Sequence, residues 1–397
     1  MKKYLFIVCG TLLVSSCIFS QDSKQARPKP QTQSQQSQEV QAQSQGDVFT
    51  IEKNNPATPV KSQGQTGTCW SFSTTSLLES QFLKTNKSDI DLSEMFTVYN
   101  IYIEKAKNYM LRQGHAQFGE GGLGHDVIRS MANYGAIPDT AFSGLKGESK
   151  TLNHSKMVYL LKEYLDNLLK TTPVAADWMD GYKKILDDFI GAPPAEFQYQ
   201  NKKYTPKTFA SEVLKFRADD YINITSFTHH PFYTPFIVEV PDNFSNGSYY
   251  NLPVNEMIQL VKGSITKGYT IMWDADVSNN GFMSKNGLAL FIDRAGEKKN
   301  TSVSADMDEM DWTPALRQQY YENLTTQDDH LMHITGIEKS KKGKTFFIVK
   351  NSWGVAGTYK GYVNVSESYF AMNTISLVVP KEAIDKTLLL KLGISVK

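Results

Sequence analysis

The chain carries one candidate nucleophile, and the groups that could activate it lie at the far end of the sequence. Of the three cysteines in the 397 residues, Cys9 and Cys17 belong to the N-terminal 20 residues, and only Cys69 follows them. Cys69 lies in Gln-Gly-Gln-Thr-Gly-Thr-Cys-Trp-Ser-Phe, residues 63–72. The apolar spacing from about Trp70 predicts a helix, so the sulfur would sit at a helix N-terminus, where a thiolate is favoured. A fold that uses this thiol must bring distant segments together.

Those distant segments supply a histidine and an asparagine in a defined order. Residues 329–336 read Asp-His-Leu-Met-His-Ile-Thr-Gly, and a predicted strand and turn at 346–354 ends in Lys-Asn-Ser-Trp-Gly. A glutamine six positions before the cysteine, Cys-Trp-Ser-Phe, and Lys-Asn-Ser-Trp-Gly together resemble the papain-like cysteine peptidases. Any one of these matches is weak, but three in this order around one thiol are specific.

The resemblance implies a role for each motif residue. Cys69 would attack the scissile carbonyl as a thiolate, and His330 would stabilise that thiolate and then protonate the departing amine. Asn351 would hold the imidazole in register, as the third member of a triad. The Gln63 amide and the Cys69 backbone N–H would form the oxyanion hole.

His333 is the alternative to His330, three residues further along. The family places its histidine before a small residue and a methionine, and His330-Leu331-Met332 fits that pattern better. If the segment is a strand, residues three apart point to opposite faces, so one histidine at most can face Cys69. The sequence favours His330.

The separation between nucleophile and base indicates one branch of the family. His330 follows Cys69 by 261 residues, whereas papain-like enzymes typically place it about 130–150 residues downstream. More than a hundred residues are therefore inserted, and their first half has strong helical periodicity. This resembles the bleomycin hydrolase and aminopeptidase C branch. The expected fold is α+β: a papain-like pair of domains, one helical and one an antiparallel β-barrel-like domain, with a large, mainly helical insertion.

Four further residues receive binding or supporting roles from the resemblance. A Gly-Gly pair lines the cleft in the family, so Gly121 and Gly122 are candidate substrate contacts, although a plain loop explains them equally well. Trp353 is expected to pack over the His–Asn contact, and Trp70 to support the nucleophile segment.

No metal or cofactor is expected. The adjacent His229 and His230 could bind a metal, but no Cys, Asp or Glu lies near them at ligand spacing in the sequence. Residues 274–280 superficially resemble a calcium loop, yet Asn279 stands where glycine is needed and Lys285 where the closing glutamate is needed. Both patterns are interpreted as structural.

The N-terminus is typical of an exported bacterial protein. Met-Lys-Lys and a short apolar run predict an export signal, followed by a polar Gln/Ser-rich tether. The run is too short to span a bilayer well. Cleavage after Ser20 would leave a periplasmic or secreted protein; the alternative is a lipid anchor at Cys17, which would make it an outer-membrane lipoprotein. The predicted organisation is listed from the N-terminus: 1–20 signal, 21–50 tether, 51–144 helical half with the nucleophile, 145–265 insertion, 266–397 β half with His and Asn.

Charge excludes some partners. Lys and Arg number 42 against 41 Asp and Glu, a net charge of +1, so nothing indicates nucleic-acid binding. The expected partners are peptide substrates. The resembled branch forms hexamers, so a homo-oligomer is compatible with the sequence.

Several activities remain compatible with these residues. Aminopeptidase action on short peptides is the default of the branch. Its aminopeptidases end in an arm whose terminal carboxylate pairs with the substrate amine, and this sequence ends differently, so an open-cleft endopeptidase is the near alternative. Two alternatives belong to other functional classes. One is a protein that binds peptides without cutting them, and the other is an enzyme that transfers the acyl group to an amine instead of to water.

Overall fold

A mixed eleven-stranded β-sheet organises the computed structural model, which describes residues 49–292 and 303–396. The predicted signal, with the candidate lipid-anchor residue Cys17, lies outside the described residues, and so does nearly all of the predicted tether. All described residues belong to one compact unit. No helix in the described ranges is both long and apolar enough to cross a lipid bilayer.

The elements follow one another along the chain as three helices, an inserted mixed segment, and a strand-rich half. The strands are β1 (Phe49–Asn54), β2 (Phe197–Tyr199), β3 (Lys202–Tyr204), β4 (Tyr221–Thr225), β5 (Pro235–Ile237), β6 (Ser248–Asn251), β7 (Ile271–Ala275), β8 (Phe282–Met283), β9 (Leu288–Ala289), β10 (His330–Ser340), β11 (Thr345–Lys350), β12 (Tyr362–Ser366) and β13 (Thr374–Pro380). The α-helices of four or more residues are α1 (Cys69–Asn86), α2 (Glu94–Leu111), α3 (Gly124–Tyr134), α4 (Ser155–Leu168), α5 (Trp178–Ile190), α6 (Val254–Thr266), α7 (Pro314–Glu322), α8 (Glu367–Asn373) and α9 (Lys386–Lys391). A single turn at Pro206–Thr208 continues into a π-helical segment, Phe209–Val213.

Local sequence signals explain the starts and ends of the helices. Helix α2 is capped by Ser93, whose hydroxyl accepts a hydrogen bond from the Phe96 N–H at 3.0 Å. Helix α1 ends at Lys87, which adopts a left-handed conformation and donates its N–H to the Leu83 carbonyl. Helix α1 begins at Cys69 itself, so the sulfur lies at a helix N-terminus, as the sequence predicts.

The sheet order places the segments that carry the predicted site residues side by side. The strands follow the order β5-β6-β4-β13-β7-β10-β11-β12-β9-β8, and β1 also pairs with β10. Long strand β10 is thus flanked by β7 and β11, with every pairing antiparallel. Two pairings elsewhere, β4 with β6 and β9 with β12, are parallel. The α+β, papain-like fold class is confirmed, with a sheet that is mixed at its edges.

The predicted insertion contributes to the sheet as well as adding helices. Helices α4 and α5 pack through Leu161, Leu165 and Leu186, each fully buried in the core of the helical half. Strands β4, β5 and β6 extend the main sheet beyond β13. The insertion is therefore helical in its first part and joined to the sheet in its second.

The two faces of the sheet belong to two different cores. On β10, Leu331 packs with the helices of the N-terminal half. Its neighbours Met332 and Ile334 pack with α6 and α8 on the opposite face. This alternation follows from the period of two in a strand, and it places His330 and His333 on opposite faces of the sheet.

Glu338 on β10 yields a prediction about stability. It is fully buried, and neither carboxyl oxygen has a hydrogen-bond donor in the described part of the chain. Burial raises its pKa from 4.5 to about 8. Between these values the folded state binds more protons than the unfolded state, so stability falls as pH rises from about 4.5 to about 8. We expect Glu338→Gln to raise the free energy of unfolding at pH 8 by about 2–4 kcal/mol and to change it little at pH 5.

Urea unfolding at both pH values measures this effect. Glu52→Gln, on exposed strand β1, is the matched control and should be neutral at both. An equal effect of Glu338→Gln at pH 5 and pH 8 would contradict the assignment of a buried carboxyl that ionises at a cost.

Candidate active site

Cys69 is buried where the first turn of α1 meets strand β10. Its thiol has a backbone hydrogen bond with Leu331, the residue after His330. The first N–H groups of a helix have no partner within the helix, so the Cys69 N–H and the helix dipole face the same space as the sulfur. The structure thus brings the lone thiol of the described chain to the strand that carries the candidate base.

His330 is held by Asn351 and covered by Trp353. Its Nε2 lies 2.7 Å from Asn351 Oδ1. That oxygen also accepts the Ser352 N–H at 2.7 Å, so Nε2 must carry the hydrogen and donate it. Nδ1 of the neutral ring is then the acceptor, free to take a proton from a thiol. The Trp353 indole stacks on the imidazole with ring centroids 4.6 Å apart, and it is 43% exposed, so it shields the histidine on its outer side.

His333 points away from this arrangement. The strand register pairs His330 with Ala275 and His333 with Met272, which places the two imidazoles on opposite faces of the sheet. His333 Nδ1 lies 2.9 Å from Ser76 Oγ, in the interior of the protein. Burial, and the charge of Lys350, hold the pKa of His333 well below its usual range, so it is a neutral core histidine.

Gln63 is fixed by both ends of its side-chain amide. Its Oε1 accepts the Ser352 hydroxyl at 2.6 Å, and its Nε2 donates to the Thr66 carbonyl at 2.6 Å. An amide nitrogen has two hydrogens, so one N–H is still available for an oxyanion. The main-chain bond from Gln63 N to Ser352 O, 2.8 Å, ties the same two segments together.

Burial favours the neutral forms of both reacting groups. Burial, together with smaller contributions from the carboxyls of Asp328, Asp274 and Asp242, raises the pKa of Cys69 to about 12 against the lowering effect of the Leu331 hydrogen bond. Burial also lowers the pKa of His330 to about 4, against the Asn351 hydrogen bond. In the reaction expected from the sequence, the thiolate would therefore form together with the His330 imidazolium, because two opposite charges created together attract each other.

The glycine pair serves the packing of its neighbours. Gly122 lies against Trp70, where a Cβ would come 3.1 Å from the indole. Trp70 Nε1 donates to the Glu120 carbonyl at 2.9 Å, and the Glu120 carboxylate accepts the Gly67 N–H at 2.6 Å. These two hydrogen bonds therefore hold residues 67–70, around the nucleophile, against residues 120–122, which include the glycine pair.

Gly121 is covered by a residue of the insertion. A Cβ on Gly121 would lie 1.8 Å from Asp242 Oδ2, so the carboxylate fills the space beside it. The Gly121 carbonyl accepts a hydrogen bond from the buried ammonium of Lys105, which also donates to Gly119 O at 2.9 Å. Asp242 and Lys105 thus adjoin Gly121, the glycine expected to meet the substrate chain.

The histidine pair has a carboxylate partner that sequence spacing did not reveal. Glu239 lies 3.2 Å from His229 Nε2 and 2.8 Å from His230 Nε2. A metal would need an unprotonated His229 Nε2. Gln318 Oε1 accepts the Thr228 N–H, so its Nε2 must donate to His229 Nδ1. With Nδ1 as acceptor, Nε2 carries the hydrogen, and the contact with Glu239 is a hydrogen bond. These residues fit a polar cluster better than a metal site.

The residues that position the site were largely missed from the sequence. Ser352 and Lys350 belong to the Lys-Asn-Ser-Trp-Gly motif, yet their bonds to Gln63 and to Ser76 on α1 became visible only in three dimensions. Asp242, Asp274 and Asp328 carry no local pattern. The one available signal was the unusual Asp-Asp pair immediately before His330.

The roles of the two histidines can be separated by alkylation of Cys69. We expect His330→Ala to slow the reaction with iodoacetamide at pH 7 by about 10-fold or more, because the thiol loses its proton acceptor. His333→Ala should leave that rate unchanged and lower the free energy of unfolding by about 1–3 kcal/mol, through the lost contact with Ser76. Mass spectrometry of the modified protein gives the rates, and urea unfolding gives the stability. The reverse pattern would assign the base to His333.

Comparison with known proteins agrees with this geometry. The family model described as "Peptidase C1-like family" matches residues 120–393, and the one described as "Papain family cysteine protease" matches residues 44–99.

Similar proteins extend over most of the chain. Aminopeptidase C of Lactococcus lactis subsp. cremoris is 24% identical, over 83% of this chain and 82% of its own length. Aminopeptidase G of Lactobacillus delbrueckii subsp. lactis is 23% identical, over 85% and 84%. Bleomycin hydrolase of Gallus gallus is 24% identical, over 83% and 82%. The crystal structure of PepW from Lactobacillus rhamnosis HN001 superposes with a TM-score of 0.68 at 20% identity, over 91% of this chain and 87% of that one, and shows the same fold. The chain belongs to the Peptidase C1-like family and is a cysteine-type peptidase.

Proposed function

We propose that this protein is an exported aminopeptidase that removes residues from the free N-termini of short peptides, with Cys69 as nucleophile. One observation carries the exopeptidase part: the insertion places the Asp242 carboxylate directly against Gly121, one of the two glycines expected to line the cleft. The similar proteins named aminopeptidase C and aminopeptidase G support the same activity. The export part rests on the N-terminal sequence, with its apolar run after Met-Lys-Lys.

The proposed reaction follows from the orientation of the side chains. His330 Nδ1 takes the proton of Cys69, and the thiolate attacks the carbonyl carbon of the first peptide residue. The resulting oxyanion accepts hydrogen bonds from the Cys69 N–H and the second N–H of Gln63 Nε2. His330 then gives its proton to the departing amine. A water molecule, deprotonated by His330, releases the first residue and restores the thiol.

One peptide in two forms tests the activity. Residues 48–397 are incubated with a ten-residue peptide that carries either a free or an acetylated N-terminus, and the products are read by mass spectrometry. We expect a ladder that loses one residue at a time from the free peptide only. Cys69→Ala is the control and should leave both peptides intact. Internal cuts in both forms would mean an endopeptidase instead, and binding without turnover would mean a peptide-binding protein.

Ser352 should act on catalysis through Gln63. The Ser352 hydroxyl holds the Gln63 side-chain amide in place. Because that amide would bond to the oxyanion of the transition state and not to the bound substrate, we expect Ser352→Ala to lower kcat by about 10-fold with little change in KM. The double variant Gln63→Ala/Ser352→Ala should be no slower than Gln63→Ala alone, because the hydroxyl has no other catalytic route. Additive losses in steady-state assays would show that Ser352 acts independently of Gln63.

A further inference from the structure

Three carboxyl groups lie close enough to Cys69 to act on its thiol. Asp274, Asp328 and Asp242 all act electrostatically on the Cys69 thiol, although they come from strand β7, the segment before β10, and the insertion. Their convergence at the nucleophile is unexpected, since negative charge beside a thiol opposes its ionisation. A role in binding would explain why the fold tolerates them.

Asp274 is positioned by the sheet. The register places it directly opposite Leu331 on one side and Ser376 on the other, so the three side chains lie in one row on the face that meets α1. Leu331 is the residue whose backbone contacts the Cys69 sulfur. Asp274 is therefore one strand spacing from the nucleophile's own contact, about 5 Å in a sheet.

Two of the carboxyl oxygens have no hydrogen-bond donor outside the pair that they form. Asp274 is 0% exposed; its Oδ2 accepts the Ser376 hydroxyl at 2.9 Å, while its Oδ1 is buried and no other group in the described chain donates to it. The same holds for Asp328 Oδ2. Asp274 and Asp328 hydrogen-bond to each other as two carboxyls that share a proton, and burial raises the pKa of both. An ammonium would give the pair donors in place of that shared proton.

Two neighbouring charged groups form their hydrogen bonds outside this pair. Lys105 lies close enough to act electrostatically on Asp242 and on Asp328, but its ammonium donates to the carbonyls of Gly119 and Gly121. Asp329, next to Asp328, has other partners: its carboxylate accepts the N–H groups of Val277 and Ser278. The oxygens with no donor outside the pair thus belong to Asp274 and Asp328, and Asp242 lies against Gly121.

We propose that Asp274, Asp328 and Asp242 bind the N-terminal ammonium group of the substrate and so determine that cleavage occurs after the first residue. The ammonium nitrogen of a peptide is two bonds from the first carbonyl carbon, so its binding site must adjoin the nucleophile, as this cluster does. An ammonium offers three donors to three carboxyls, and charge-assisted hydrogen bonds are the stronger ones. This inference rests on the proposed aminopeptidase activity and names the residues responsible for it.

The test compares three substrates that differ only before the scissile bond. They are the aminomethylcoumarin amides of alanine, acetyl-alanine and acetyl-arginyl-alanine. The wild-type ratio of kcat/KM for alanine over acetyl-alanine measures the proposed function. We expect the double variant Asp274→Asn/Asp328→Asn to lower kcat/KM for the alanine amide by roughly 10- to 100-fold and to spare the acetylated one, so the ratio collapses.

Asp276→Asn is the matched control. Asp276 is equally buried and follows the same strand, but its oxygens have donors in Ser278 N and Gln327 N. We expect it to leave the ratio unchanged. Circular dichroism verifies the folding of each variant. If the double variant does not fold, Asp242→Asn replaces it, since Asp242 lies on a partly exposed turn, with an expected fall in the ratio of roughly 3- to 10-fold.

Each outcome separates the two hypotheses. A wild-type ratio near one would overturn the aminopeptidase proposal and this inference with it. A high wild-type ratio that persists in the folded Asp variants would overturn the inference alone. Efficient cleavage of acetyl-arginyl-alanine by the wild type, lost in the variants, would show that the cluster binds a basic side chain and not the terminal ammonium.

Discussion

A buried lysine joins the two halves of the active site, and the rest of the geometry depends on it. Lys350 ends strand β11, one residue before Asn351, and its Nζ donates to Ser76 Oγ at 2.7 Å on the nucleophile helix and to Thr58 Oγ1 at 3.1 Å. Thr58 in turn donates to Glu79, also on α1, at 2.5 Å. The position of Asn351 relative to Cys69 is therefore set by a buried polar network as well as by apolar packing. Hydrogen bonds are directional, so they specify both the partner atoms and the distance between them.

The same network gives the lysine of the Lys-Asn-Ser-Trp-Gly motif a structural role, because its ammonium connects β11 to the nucleophile helix. Burial lowers the pKa of Lys350 to about 8, against the attraction of Glu79. Replacing a single member would leave buried donors or acceptors without partners, which costs more than the whole network contributes. Such a network holds its geometry cooperatively, and it lies directly behind the residues that must stay in register across the cleft.

The nucleophile, the base and the main architecture could be predicted from the sequence because each is encoded locally. The helix that begins at Cys69 follows from apolar spacing. The choice of His330 over His333 followed partly from strand periodicity, and the sheet register separates the two imidazoles in the same way. The contribution of β4, β5 and β6 to the main sheet could not be predicted, since short strands of three to five residues carry little periodicity. The strand that joins them to the rest of the sheet, β13, lies about 150 residues after its partner β4.

Folding also gives the two metal-like patterns partners that sequence spacing did not show, although both were interpreted as structural. Glu239 contacts both His229 and His230 because the turn between them folds back. Asp274 and Asp276 were compared with a calcium loop, and the structure gives them different surroundings because β7 ends at Ala275, between them. Asp274 lies in the strand and bonds to Ser376, whereas Asp276 follows the strand and caps the backbone of the next turn.

The carboxyl groups beside Cys69 connect substrate binding with activation of the nucleophile. In the empty cleft, burial and the charges of Asp328, Asp274 and Asp242 all favour a protonated thiol. An ammonium held among these carboxyls would cancel much of their repulsion, because its positive charge lies as close to the sulfur as theirs. Proton transfer from Cys69 to His330 then becomes easier at the moment when a free N-terminus is bound. A longer chain, which carries no charge at that position, would leave the repulsion in place and would meet a less reactive thiol. The same three residues therefore select the substrate twice, through its binding and through the thiolate that attacks it.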